Sequence, residues 1–234
     1  MEPLERLSSV PDAAALFLDV DGALAPIVDD PDDSTVPEAT RAELRRLAGR
    51  YGLVACVTGR PSARAREIVG VDELRYAGEH GLELEPEAEE WAERLARFTE
   101  SAAWPAEPKR LTAAFHYREH PDPERARAEL EQVAAAARAE GFRTRWGRMV
   151  LEVVPPIDAH KGTAVRRLLE ETGLRRALYA GDDTTDLDGF RALDGLEVAV
   201  RVAVSSAEGP PELLELADVV VEGPEGLTEL LRRL

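Results

Sequence analysis

An apolar run ends abruptly in the stretch LFLDVDGAL at positions 16–24, where two aspartates one residue apart, Asp19 and Asp21, precede Gly22. This stretch constrains the chain more than any other. A short, almost wholly apolar segment such as AAALFLDV (13–20) marks a strand buried on both faces of a parallel sheet. Two like charges at its end destabilise one another unless a cation lies among them or a proton is shared. Taken alone, the pair is equally compatible with a solvated turn or a helix cap, because Asp and Gly are common turn residues. A second buried run, RALYAGDD (176–183), continues into TTDLD, so that Asp182, Asp183, Asp186 and Asp188 follow it in the same way. In an open α/β sheet, ligands bind beyond the carboxyl ends of strands where the strand order reverses. If these two strands are neighbours, their carboxylates converge on one small volume. A few carboxylates there suit a hard divalent ion that keeps several waters, which describes Mg²⁺ in the service of a phosphate.

Two further segments complete a phosphate site. VTGR (57–60) places Thr58 at the end of the apolar strand LVACV (53–57), and HKG (160–162) places Lys161 at a helix start. A hydroxyl and an ammonium at such positions hold the oxygens of a transferring phosphoryl group. The chemistry expected is nucleophilic attack by Asp19 on phosphorus, giving an aspartyl-phosphate. Asp21 is expected to protonate the leaving alkoxide and then to deprotonate the attacking water. Asp19, the backbone carbonyl of Asp21, and Asp182 are the expected Mg²⁺ ligands. Asp183 and Asp186 are expected as further ligands or as groups that orient them. Gly59 and Arg60, beside Thr58, are expected among the substrate-binding residues.

Strand and helix patterns alternate along both ends of the chain. Helical spacing over 37–50 and 61–70 separates apolar runs at 53–57 and 74–78. The same texture returns from 161 onward, with a helix at 161–173, strands at 176–183, 196–203 and 217–223, and a closing amphipathic helix. Between them the texture changes. An acidic helix spans 87–103, an alternating strand 110–119 and a strong helix 123–141, and a hairpin turns around Gly147. The expected architecture is a Rossmann-like parallel α/β core, residues 1–83 and 158–234, with helices on both faces. It is interrupted by a small α+β domain over 84–157.

The motifs DVDGAL, VTGR, HKG and GDDTTD, in that order, resemble those of the haloacid-dehalogenase superfamily of phosphotransferases. The segment between the second and third looks like that superfamily's C2-type cap. DVDGALAPIVDDP, GEHG (78–81), EPKRLTAAFHYR (107–118) and LEVVPPIDAHKG (151–162) are similar to segments of the trehalose-6-phosphate phosphatase family. That resemblance implies Mg²⁺-dependent hydrolysis of trehalose 6-phosphate, with a cap that closes over the disaccharide. A disaccharide offers only hydroxyls, so Glu152, an acceptor amid apolar neighbours in MVLEVVP, is expected to bind sugar. Lys109 and Arg118, at the ends of one strand, and Arg145 are further candidates for the sugar or phosphate, each equally compatible with a solvated surface. The resemblance favours a substrate contact from His80 in the core. His116 reads as a strand residue satisfied locally, and Trp91, Trp104 and Trp146 as cap packing. The chain departs from the superfamily pattern at Ala23, where Thr or Val is usual, and from the family pattern at Leu187, where Glu is frequent.

Composition narrows the alternatives. With a net charge of −17 over 234 residues, the chain has no basic field to recruit nucleic acid or an anionic membrane. The single cysteine, Cys56, excludes an internal disulfide and a thiolate cluster. The first twenty residues have no basic region ahead of the apolar run, so a cytoplasmic location is expected. A monomer is expected, and the resemblance implies a small sugar phosphate as its substrate. Another capped sugar phosphatase, for sucrose 6-phosphate or mannosyl-3-phosphoglycerate, would keep the same catalytic residues. A receiver-like switch domain would leave Asp21 and the inserted domain without a role, and a catalytically dead sensor would not need every catalytic side chain.

Overall fold

A computed structural model describes residues 3–28, 30–118, 120–147, 149–206 and 209–234. It divides into two compact units, Met1–Gly81 with Ala159–Leu234, and Leu82–Asp158.

In the first unit, α1 (Pro3–Ser8) leads into β1 (Ala15–Leu18), α2 (Glu38–Ala48), β2 (Leu53–Val57), α3 (Ser62–Val69) and β3 (Arg75–Ala77). The second unit carries α4 (Ala88–Ser101), β4 (Glu107–Pro108), β5 (Ala113–His116), α5 (Pro123–Ala139), β6 (Arg143–Gly147) and β7 (Val150–Val154). The chain then returns to the first unit with α6 (Lys161–Thr172), β8 (Arg176–Gly181), α7 (Asp186–Ala192), β9 (Val198–Ser205), α8 (Pro211–Leu216), β10 (Val219–Glu222) and α9 (Gly223–Arg232).

The first unit holds a six-stranded sheet in the order β10-β9-β8-β1-β2-β3, parallel throughout. β1 lies between β8 and β2, pairing Leu18 with Ala180 on one side and with Cys56 on the other. The chain leaves β1 toward β2 and later returns to its opposite side through β8, so the strand order reverses at β1. All four residues of β1 are buried, which accounts for its unbroken apolar sequence. Leu16, Leu18, Val54, Cys56, Leu178 and Val200 point to one face, under Leu44 and Leu47 of α2 and Leu227 and Leu231 of α9. Alternate residues such as Phe17 and Tyr179 point to the other. There Tyr179 meets Phe190 of α7 edge to face, with ring centroids 6.0 Å apart.

In the second unit the sheet order is β4-β5-β7-β6, antiparallel throughout. Asp122 caps α5 by accepting the Arg125 N–H at 3.1 Å, and the helix buries Ala126, Leu130, Val133, Ala134 and Ala137, one face at helical spacing. That face packs on Phe115, Leu151 and Val153 of the sheet and on Phe98 of α4.

Most element boundaries fall within a few residues of the sequence reading. The alternating segment 110–119 forms a shorter strand, Ala113–His116, because a turn closed by Lys109 N–H on Thr112 O at 2.8 Å occupies its start. The short helices α1 and α8 had no strong periodic signal, as each spans only 6 residues. No helix among the described residues is long and apolar enough to cross a membrane.

Candidate active site

The carboxyl ends of β1 and β8 bring the two acidic segments together. Asp19 follows β1 directly, and its N–H donates to Ala180 O at 2.9 Å, extending the ladder between the strands by one residue. Gly181 closes β8, and Asp182 is the next residue. Asp19, Asp182 and Asp186 each offer a carboxylate oxygen within 4.8 Å of the others, and all three side chains are buried. Lys161, the first residue of α6, is 3% exposed and places Nζ 2.9 Å from Asp19 Oδ1 and 2.6 Å from Asp186 Oδ1.

Asp186 has both oxygens engaged. Its Oδ1 accepts from Lys161 and from the Tyr179 hydroxyl at 2.7 Å, and its Oδ2 accepts the N–H groups of Asp182 and Asp183, each at 2.9 Å. It therefore ties the end of β8 to the start of α7 and fixes Lys161. Asp182 differs, because its Oδ1 is buried without a hydrogen-bond partner. An orphaned buried carboxylate oxygen is costly unless something positive meets it.

The electrostatics point the same way. Burial, with Asp186 and Asp182 nearby, holds the Asp19 carboxyl well above its ordinary range despite the opposing pull of Lys161. Burial and Asp186 push Asp182 up to about 6. For Lys161, burial favours loss of the proton, but Asp19 and Asp186 outweigh it and hold the ammonium charged. Three buried carboxylates thus share one ammonium, and a hard divalent cation fits the remaining imbalance and the free oxygen of Asp182. Gly22 lets the loop after β1 pass close over this group. Its φ is +80°, and a methyl group there would fall 2.0 Å from Asp182 Oδ2.

Asp21 and Asp183 stand apart from the buried trio. Asp21 is half-buried and receives Arg60 through both oxygens, Nε to Oδ2 at 2.6 Å and Nη2 to Oδ1 at 2.7 Å. Asp183 is exposed, and its Oδ1 accepts the Thr184 N–H at 2.6 Å. Thr58 is buried at the end of β2, where its Oγ1 accepts the Arg60 N–H at 3.2 Å and keeps its own hydrogen to donate. Gly59 makes room for His80, since a Cβ at Gly59 would lie 2.7 Å from the ring Nε2. The GEHG segment is pinned to this strand end by Glu79 N–H on Arg60 O at 2.9 Å and His80 N–H on Thr58 O at 2.8 Å. Glu79 and His80 have φ of 46° and 57°, an uncommon conformation for residues with a Cβ, held here by those two bonds.

In the second unit, Glu152 of β7 lies opposite Arg145 of β6 on one side and Ala114 of β5 on the other, and Ala114 lies opposite Glu107. Leu151 and Val153 face the helices, so this row occupies the other face of the sheet. Lys109 precedes β5 and Arg118 follows it. Arg118 lines a cleft of about 550 Å³ with Trp104, His116, Tyr117 and His120. His116 Nε2 meets Glu107 Oε2 at 2.8 Å. Trp91 packs on Phe142, Trp146 on Tyr117, and Trp104 Nε1 donates to His116 O at 3.1 Å.

The sequence matches the family profile described as Trehalose-phosphatase over residues 17–104 and 104–213. The chain belongs to the trehalose-phosphatase family. It is 35% identical over 214 residues to a trehalose-phosphate phosphatase of Mycobacterium marinum, covering 80% of this chain and 53% of that one. A probable trehalose-phosphate phosphatase 4 of Oryza sativa subsp. japonica is 32% identical over 242 residues, covering 88% of this chain and 65% of the relative. The chain thus spans between about half and two thirds of the length of these curated relatives. Among solved structures, the trehalose-6-phosphate phosphatase of Aspergillus fumigatus aligns with a TM-score of 0.67 at 25% identity, over 98% of this chain and 96% of that one.

Within this family fold, Ala23 and Leu187 are both buried, and Ala23 packs in the hydrophobic core of the first unit. Three polar residues of the site escaped the sequence reading. Tyr179 looked like one more apolar position of a buried strand, although it stands three residues before Asp182. Ser34, which donates to Asp21 Oδ1 at 3.2 Å, sits in a loop whose composition signals only a turn. Glu79 lies inside GEHG, where His80 drew the attention, and its carboxylate is buried.

Proposed function

We propose that this chain hydrolyses trehalose 6-phosphate to trehalose and phosphate, with Asp19 as the nucleophile. The observation that carries the chemistry is Lys161 bridging Asp19, directly after β1, and Asp186, at the start of α7, in a chain of the trehalose-phosphatase family. In the first half-reaction a carboxylate oxygen of Asp19 bonds to phosphorus as the bond from phosphorus to the sugar oxygen breaks. Asp21 gives its proton to that leaving oxygen. In the second half, water attacks phosphorus, Asp21 takes the proton from the water, and the bond between phosphorus and Asp19 breaks to release phosphate. Lys161 fixes the rotation of the Asp19 carboxylate and, with the Thr58 hydroxyl, stabilises charge on the phosphoryl oxygens.

Mg²⁺ is the proposed cation: Asp19, Asp182 and the backbone carbonyl of Asp21 would hold it, and Asp186, bonded to Lys161 and to the Asp182 and Asp183 N–H groups, would orient those groups. Bound there, it supplies the positive charge that lets an anionic phosphate ester approach buried carboxylates. In the same reading, residues 84–157 form the domain that selects the substrate. Its Glu152, with Arg145, Lys109 and Arg118, recognises the sugar by paired hydrogen bonds, and His80 contributes from the core.

Acid-quenched enzyme incubated with trehalose 6-phosphate and Mg²⁺ should carry one phosphoryl group, located at Asp19 by peptide mass spectrometry. Asp19→Asn should remove both the adduct and phosphate release while the folded circular dichroism spectrum persists. Turnover by that variant at a substantial fraction of the wild-type rate would show that the nucleophile lies elsewhere.

A further inference from the structure

Arg60 belongs by sequence with the substrate contacts, yet all three of its guanidinium nitrogens are engaged within the chain. Nε and Nη2 take the two oxygens of Asp21 at 2.6 and 2.7 Å, and Nη1 donates to Pro31 O at 2.8 Å. Its backbone is equally fixed, with the N–H on Thr58 Oγ1 at 3.2 Å and the carbonyl accepting from Glu79 at 2.9 Å. The side chain is only 18% exposed. On the Asp21 side, the backbone is held by a tight turn in which Gly22 N–H donates to Ala25 O at 2.8 Å and Leu24 N–H to Val20 O at 2.9 Å. With that backbone fixed, the direction of the Asp21 carboxylate is set by its side-chain torsions, and the guanidinium fork meets both of its oxygens. Ser34, itself buried, adds a third bond on Oδ1.

A fork of two parallel N–H donors sets the plane of a carboxylate as well as its position, which a lysine ammonium cannot do. We propose that Arg60 is a positioning residue for Asp21: it fixes the carboxylate's direction, and with it the path of the proton to the leaving sugar oxygen, and does not itself bind substrate. Ser34 is the second member of the same clamp. The proposal rests on the reading of Asp21 as the proton carrier, and it separates Arg60 from the residues that touch the phosphoryl group, Thr58 and Lys161.

The test uses leaving groups that need a proton to different degrees. The rate of Asp19 phosphorylation is measured in single turnovers with trehalose 6-phosphate, whose alkoxide must be protonated, and with 2,4-dinitrophenyl phosphate, whose phenolate leaves unaided. General acid catalysis contributes roughly 10²–10⁴-fold, so Arg60→Ala should slow the sugar phosphate at least ~30-fold more than the aryl phosphate. Asp21→Asn should show the same split, the double variant should be no slower than Asp21→Asn alone, and Arg60→Lys should restore little. Should Arg60→Ala fail to fold, Arg60→Lys and Ser34→Ala carry the test, the latter with a smaller split in the same direction. Equal losses on both substrates in these variants, or a raised KM on both with kcat kept, would overturn the proposal and make Arg60 a substrate contact. A missing split in Asp21→Asn would instead remove the proton-carrier reading, and the proposal with it.

Discussion

Tyr179 donates its phenolic hydroxyl to Asp186 Oδ1 at 2.7 Å, on the same oxygen that meets Lys161 Nζ at 2.6 Å. The tyrosine is fully buried on β8, and its ring occupies the space over Gly189, where a Cβ would lie 2.3 Å from Cζ. Its position is therefore fixed by packing before any hydrogen bond is counted. Asp186, held by strand, helix and ammonium together, turns a set of like charges into a rigid support for Lys161.

Tyr179→Phe keeps that packing and removes one bond to a charged acceptor, in a place water cannot refill. Such a loss costs about 1.5 kcal/mol. For a chain of this size that is a fall of roughly 3–6 °C in Tm. Differential scanning calorimetry should show it, whereas an unchanged Tm would mean that Asp186 does not depend on the tyrosine.

The raised carboxyls make a metal effect depend on pH in a definite direction. Without metal, Asp182 titrates near 6 in the folded chain against an ordinary 3.8, so the folded state binds more protons between those values. The stability this group contributes is complete below its ordinary value and falls as pH rises through about 6. Mg²⁺ binds the deprotonated cluster and so competes with those protons. Saturating Mg²⁺ should raise Tm more at pH 7.5 than at pH 5; at a hundred times its dissociation constant the gain is about 2.7 kcal/mol. Equal shifts at the two pH values, or none, would contradict metal binding at these carboxylates, as would a full shift in Asp182→Asn.

Glu152 stands in a row with Arg145 and Ala114 on the face of its sheet away from the helices. Glu152→Ala should lower kcat/KM for the disaccharide phosphate, by about tenfold or more where one hydrogen-bonding group to a hydroxyl is lost. Hydrolysis of p-nitrophenyl phosphate, which carries no sugar, should stay near wild type. Equal losses on the two substrates would remove Glu152 from sugar recognition.

Local chemistry made much of this legible in the sequence. β1 and β8 stand out because strands buried on both faces carry no charged residue in their interior before they end, which is why Asp19 and Asp182 are conspicuous. Lys161 is visible for a similar reason, as a cation at a helix start just after a loop. Pairings across the chain were not legible. Nothing in VTGR says that Arg60 turns back onto Asp21, 39 residues earlier, because that contact depends on β1 and β2 lying side by side. Nor does DLD reveal that Asp186 is saturated while Asp182 keeps an open oxygen. That difference comes from Tyr179 and two backbone N–H groups that only the fold brings within reach.

The central claim is the substrate, and phosphate release across a panel of sugar phosphates tests it most directly. With Mg²⁺ present, kcat/KM for trehalose 6-phosphate should exceed those for sucrose 6-phosphate, mannosyl-3-phosphoglycerate and glucose 6-phosphate by at least ~100-fold, the discrimination that paired hydrogen bonds in a buried site readily provide, and chelation should abolish turnover. Equal rates across the panel, or a preference for another member, would contradict the account.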